Sequence, residues 1–356
     1  MPFPILRTPF VVLSEIISLL EPNEIVTVSF CSKNIERHLK GHYQQRKPLE
    51  WRLCMVVFNY SGLVSIRTSK GGEPITVISA ERILRFNDPI PRSLASNGHV
   101  TEFSTDCLTL YFENRVLGSK TIVDYVADLF NLDVHELAID RNNTWAIDWI
   151  NEWQEKTLVF FEFMENSDFN GNDDEALDYA LRNTRASEYC ILENNASENF
   201  RFNGELGPVN HLLIDPYGHW VTLNNLINSD AISIVVRQCR LSIPNLYSFI
   251  RHWRTGGSPR LTFMILEFEN QPTFEHFVDE LDVLETDISG EYRLRDGDNW
   301  DFENGCSIQR NDGVKAVIEF GDEHFAMMVC IGEHLYDRDN YLKKNSDQQF
   351  VLHQNV

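Results

Sequence analysis

A chain of 356 residues, 43% hydrophobic and 24% charged, has an ordinary globular composition and is long enough to need more than one core. Its 53 acidic and 31 basic side chains leave a formal charge of -22, a field that repels phosphate backbones and anionic headgroups and so disfavours nucleic-acid and membrane partners. The cysteines (Cys31, Cys54, Cys107, Cys190, Cys239, Cys306 and Cys330) are scattered without zinc-knuckle or redox spacing, and read as small buried hydrophobes of a reducing, cytoplasmic or nuclear compartment.

The apolar stretch from Phe10 to Leu20 carries Pro9 at its start and Glu15 in its middle and lacks a cleavage site, so it is not read as a signal peptide. Its spacing predicts a short amphipathic helix with Phe10, Leu13, Ile16, Ile17 and Leu20 on one face. Glu21-Pro22-Asn23 breaks it. A second short helix follows with Ile25 and Val28 inward, then a third with Ile35 and Leu39 on one side and Arg37, His38 and Lys40 on the other. Three short helices make a poor core of their own, so the spare apolar face needs either a partner or the rest of the chain.

Past a polar linker at 42–48 the pattern turns to strands at 52–60, 63–68 and 74–79, and the Pro- and Ser-rich stretch 86–98 reads as a loop and boundary. From 107 to 268 strand-like runs at 107–112, 134–139, 157–163, 188–192, 209–214, 232–236 and 260–268 alternate with helix-like stretches, notably 121–130 and 243–253. The spacing, on the order of 20–30 residues, falls in the leucine-rich-repeat range and predicts parallel pairing. Nothing in the chain reaches the ~20 apolar residues of a membrane span. Near the end, runs at 307–310, 314–320 and 324–331 separated by Asn311-Asp312-Gly313 and Gly321-Asp322 predict an antiparallel meander. The strands of 52–79 are one candidate pairing partner for it. The tail from 337 is polar.

The stretch Pro4 to Phe10, with Leu13, Ile16, Ile17, Leu20, Pro22, Ile25, Val28-Ser29 and Cys31-Ser32-Lys33, resembles an F-box. Thr8 stands where that family usually has leucine and Asn34 where many members have tryptophan. The remainder is similar to the type 2 F-box-associated domain of the nematode-type F-box family, through Leu108–Phe112, Ile147–Asn151, Trp220–Leu226, Asn245–Trp253, Gly256–Leu261 and Ile308–Gly313. The resemblance implies an α/β chain: a three-helix F-box over 1–45, a β-rich region over 46–98, an irregular leucine-rich-repeat-like domain over 99–335 ending in the meander, and a tail over 336–356. It implies a substrate adaptor of a Skp–cullin–F-box (SCF) ubiquitin ligase. Pro9, Phe10, Leu13, Ile16, Ile17, Leu20, Pro22, Ile25 and Val28 would meet the Skp-type adaptor, and a cullin through it. A protein substrate of unknown identity would be held by the associated domain, with no catalytic residue, cofactor or metal.

Other motifs weigh less. Asp296-Gly-Asp298-Asn-Trp-Asp301-Phe-Glu303 alternates carboxylates but lacks the glycine and glutamate an EF-hand requires, so it reads as a solvated loop. Asn172–Glu175 suits the N-terminus of a helix over 176–181. His211, His219 and His276 stand singly, Gly256-Gly-Ser-Pro leads into a strand rather than a helix, and the sequons at Asn142 and Asn195 read as chance matches. Trp145, Trp149, Trp153, Trp220 and Trp253 read as core. An enzyme with an unfamiliar site in the α/β domain, or a scaffold outside ubiquitin ligases, stays open as the alternative.

Overall fold

A computed structural model describes residues 10–44, 50–59, 61–68, 73–83, 100–103, 107–165, 172–193, 195–270, 281, 283–293 and 299–330. The chain is mixed α/β and divides into two compact units, one of residues 1–146 and 152–156, the other of 147–151 and 157–356. The helices of 10–44 and the strands of 52–82 fall in the first of these.

In the first unit α1 (Phe10–Ser18), α2 (Pro22–Cys31) and α3 (Lys33–Gln44) precede β1 (Arg52–Phe58), β2 (Ser61–Arg67), β3 (Ile75–Arg82), β4 (Val100–Phe103), β5 (Leu108–Phe112), α4 (Arg115–Phe130) and β6 (Val134–Ile139). Pro22 occupies a first-turn position of α2, where its missing N–H costs nothing, and the Glu24 carboxylate accepts the Glu21 N–H at 2.9 Å. Asn114 caps α4 by accepting the Leu117 N–H at 3.1 Å, and Asn131, at φ 55, ends it in the left-handed conformation. The strands run β6-β1-β2-β3-β5-β4. β1, β2 and β3 form an antiparallel meander, with β6 parallel to β1 and β5 parallel to β3. Helix α4 lies on β2 and β3 so closely that a Cβ on Gly62 would collide with the Ser119 hydroxyl. Between them Val64, Ile66, Val77, Ile78, Ile122 and Val126 are fully buried.

The second unit places β7 (Leu158–Phe163), β8 (Ala186–Leu192), β9 (His211–Ile214), β10 (Ser233–Cys239) and β11 (Phe263–Phe268) side by side in chain order, all parallel. Helices α6 (Asp174–Asn183), α7 (Leu223–Ile227) and α8 (Ile243–Arg254) intervene between successive strands, whereas β8 reaches β9 through a loop. Helix α5 (Trp145–Trp153) contributes residues to both units. Strands β12 (Glu285–Arg293), β13 (Asn299–Gln309), β14 (Lys315–Phe320) and β15 (His324–Cys330) complete the unit as an antiparallel run joined to β11 through β15. Trp220 and Trp253 are completely buried, whereas Trp145, Trp149 and Trp153 are half-buried.

The antiparallel meander therefore pairs with β11, not with the strands of 52–79. The reason is edge availability: β1, β2 and β3 each have neighbours on both sides, while β11, last of the parallel run, offers an unfilled ladder. The carboxylate stretch near 300 is likewise no loop from residue 299 on, because Asn299–Gln309 is strand β13, and 296–298 lie outside the described residues. The tail over 336–356 and the boundary loop over 86–98 lie outside them too. No helix among the described residues is long and apolar enough to cross a membrane.

Candidate protein-interaction surfaces

The residues expected to meet an adaptor separate into three groups. Pro9 and the Phe10 side chain lie outside the described residues. Ile17, Pro22 and Ile25 are buried, and Leu13, Ile16, Leu20 and Val28 are half-buried. What takes up the buried part is the first unit itself, since α2 packs on β3 and α3 on α4. The Tyr125 hydroxyl of α4 meets Ser29 at 2.6 Å, and its ring lies 4.6 Å from that of Phe30. Tyr43 packs edge-on to Phe130 at 5.0 Å, and Lys40 pairs with Asp128 and, at 3.0 Å, with Glu36. Burial pushes the Tyr125 phenol up to about 12. Helix α1 is tied less tightly; Ser14 lies 3.4 Å from His42 of α3. Among the described side chains, Val12 of α1, at 46%, and Leu19 of the turn that follows it, at 83%, are exposed and apolar. The sequence stripe missed this pair because it collected the residues facing inward.

The second unit presents a different surface. A small pocket of about 40 Å³ lies between α6 and its cap, through Ala180, Leu181 and the capping Thr184, and the strands, through Phe161, Cys190, Leu192 and Leu212. That is room for a water or two rather than a metabolite. Because side chains alternate along a strand, Tyr189, Ile191, His211 and Leu213 face away from α6. The ladder register carries these into rows: Ile191, Leu213, Val235 and Ile265 in one, and Tyr189, His211, Ser233 and Phe263 in another. Toward the strand ends follow Glu193, Asp215, Arg237 and Glu267. Arg237 lies 3.3 Å from Asp215 and 3.6 Å from Glu267. Beyond, Arg240 pairs with both Glu198 and Glu269.

The loop between β8 and β9 is held from inside. Asn225, fully buried at the start of α7, donates to the carbonyls of Phe202 at 3.0 Å and Gly204 at 3.1 Å, and its side-chain oxygen accepts the Thr222 N–H at 2.9 Å. Phe200 and Phe202 pack edge-on against Trp220. The acidic run before α6 does more than meet the helix dipole. Asp173 accepts the Asn195 N–H at 3.0 Å, and Asp174 accepts the Ser197 N–H at 2.7 Å and its hydroxyl at 2.6 Å. No cluster of three or more His, Cys, Asp or Glu among the described residues could hold a metal.

Residues 206–266 match the family model described as F-box associated. The match spans β9, α7, β10, α8 and the first part of β11, and so includes Trp220 and Asn225 and, of the charged row at the strand ends, Asp215 and Arg237. No curated protein and no solved structure matches the chain.

Proposed function

We propose that the chain is a non-catalytic recruiting subunit of an SCF-type ubiquitin ligase, acting in the cytoplasm or nucleus. On this reading the helices of 10–44 dock the Skp-type adaptor, and through it a cullin, while the second unit holds the protein to be modified. The observation that carries it is the F-box-associated match over 206–266, since a domain of that kind accompanies an adaptor-docking motif. The in-order parallel strands β7–β11, spaced like leucine-rich repeats, suit a surface for protein partners rather than a closed site. Val12 in α1 and Leu19 just after it give this end of the chain the exposed apolar contact that docking asks for.

Co-precipitation with a purified Skp-type adaptor tests this. The natural chain should retain the adaptor, and Val12→Asp with Leu19→Asp should lose it. Both positions are exposed, so the fold survives the change. An adaptor that ignores the natural chain, or binds both chains equally, sinks the proposal.

A further inference from the structure

The face of the second unit's sheet turned away from α6 changes character across its width. Over β11, β15, β14 and β13 it is closed, with Phe263, Ile265, Phe302, Val317, Ala326 and Met328 in one buried cluster. Over β8 and β9 Ile191 and Leu213 are only half-buried. Next to that apolar pair, at the carboxyl ends of the parallel strands where open sheets commonly take their ligands, stand Glu193 and Asp215, with Glu165 just past β7.

Asp215 shares Arg237 with Glu267, whereas neither Glu165 nor Glu193 is paired with a cation among the described residues. The carboxyl of Glu193 is held above its ordinary range by burial, then by the charges of Asp215 and Glu165. A cation arriving here relieves a repulsion already present. Beside this strip the His211 ring stacks on Tyr189 at 4.5 Å, and burial lowers its pKa, so it adds no positive charge at neutral pH. The net charge of -22 steers a basic partner inward from a distance.

We propose that the strip formed by Ile191 and Leu213, bordered by Glu165, Glu193 and Asp215, docks a lysine- or arginine-bearing segment of the target protein. This rests on the recruiting role proposed above and supplies the chemistry of the captured segment: apolar groups for the strip, cations for its border.

The test titrates the full chain with a fluorescein-labelled octapeptide of alternating leucine and lysine, and with its leucine–glutamate counterpart, by fluorescence anisotropy. The lysine peptide should bind saturably and the glutamate peptide should not. Glu165→Gln with Glu193→Gln should weaken binding about fivefold. Glu175→Gln with Glu205→Gln removes the same charge from exposed residues on α6 and the β8–β9 loop, and should leave binding unchanged. Equal weakening by both pairs, equal binding of both peptides, or no saturable binding overturns the proposal. Adaptor co-precipitation reads the N-terminal helices separately. A chain that fails there yet shows strip-dependent peptide binding loses the ligase reading and keeps the surface, and the converse result does the opposite.

Discussion

Ser29 on α2 and Tyr125 on α4 share a 2.6 Å hydrogen bond, and Ser29 also donates to the Val26 carbonyl at 2.5 Å. Burial of the phenol beside this contact disfavours its charged form, and that outweighs the hydrogen bond from Ser29, which favours it. The contact fastens the N-terminal helices to the first unit's body through a residue 96 positions away.

The burial of that phenol predicts an alkaline weakness. The Tyr125 pKa is about 12 in the folded chain against an ordinary 10.0. Between those values the folded state holds a proton the unfolded chain has lost, so stability is intact below about pH 10 and falls as pH rises through about 12. Tyr125→Phe removes this dependence. It should cost about 1 kcal/mol at neutral pH and flatten the stability curve above pH 10 relative to the natural chain. Denaturant unfolding at a series of pH values reads both, and an identical alkaline slope in the two chains would count against the assignment.

Arg67 and Glu136 make the second test. Their paired 3.2 Å contacts join β2 to β6 across β1, with side chains only 16% and 9% exposed. Glu136→Ala removes the carboxylate facing a guanidinium in a nearly dry site and should cost about 3 kcal/mol. Arg67→Met with Glu136→Leu should recover most of it, because a buried pair owes its attraction largely to repaying its own desolvation. Thermal melting of the three chains decides. A double variant as unstable as the single one would show that the pair is worth more than the apolar packing that replaces it.

Asn225 is the internal clamp of the β8–β9 loop. Asn225→Ala leaves the Phe202 and Gly204 carbonyls and the Thr222 N–H without their partner, a loss of about 2–3 kcal/mol. Amide exchange should quicken across 200–206 while the β10–β11 ladder stays protected. Uniform quickening throughout the unit would mean that the loop and sheet unfold together.

Most strands were legible in the sequence, because short, nearly continuous apolar runs such as Leu158–Phe163 and Lys315–Phe320 announce themselves wherever they pair. Partner choice was not: nothing local tells β15 to join β11 rather than the strands of 52–79, since that depends on which ladder is still open. The first part of β13 was hidden because Asp301 and Glu303 look like solvent-facing loop, although its end at 307–309 was read as a strand, and β12 and β4 gave no apolar alternation. The F-box-associated block Trp220–Leu226 was legible as a pattern, but Asn225 as its clamp was not, since its partners lie in the preceding loop. At the N-terminus the helical spacing found the residues that face inward. The exposure of Val12 and Leu19 is a property of the folded chain that the spacing did not carry.

The turn after β13 supplies the last prediction. Asn311 donates its N–H to the Arg254 carbonyl at 2.9 Å, and the Arg254 guanidinium reaches the Gln309 carbonyl at 3.3 Å. Arg310 lies over the buried Trp253 ring at 5.6 Å while it grips Asp312 at 2.7 and 2.9 Å. The turn is thereby latched to the end of α8 and closes on Gly313, at φ 94. A side chain at that φ is strained, so Gly313→Ala should cost about 1 kcal/mol. Arg310→Gln keeps the backbone but gives up the cation over Trp253, an interaction worth roughly 0.5–1 kcal/mol at a partly exposed site. The two routes separate by tryptophan fluorescence in the folded state. Arg310→Gln should alter the emission of Trp253 with little change in backbone exchange at 310–314, and Gly313→Ala should do the reverse. Identical responses would mean that the turn and the latch do not act as separate elements.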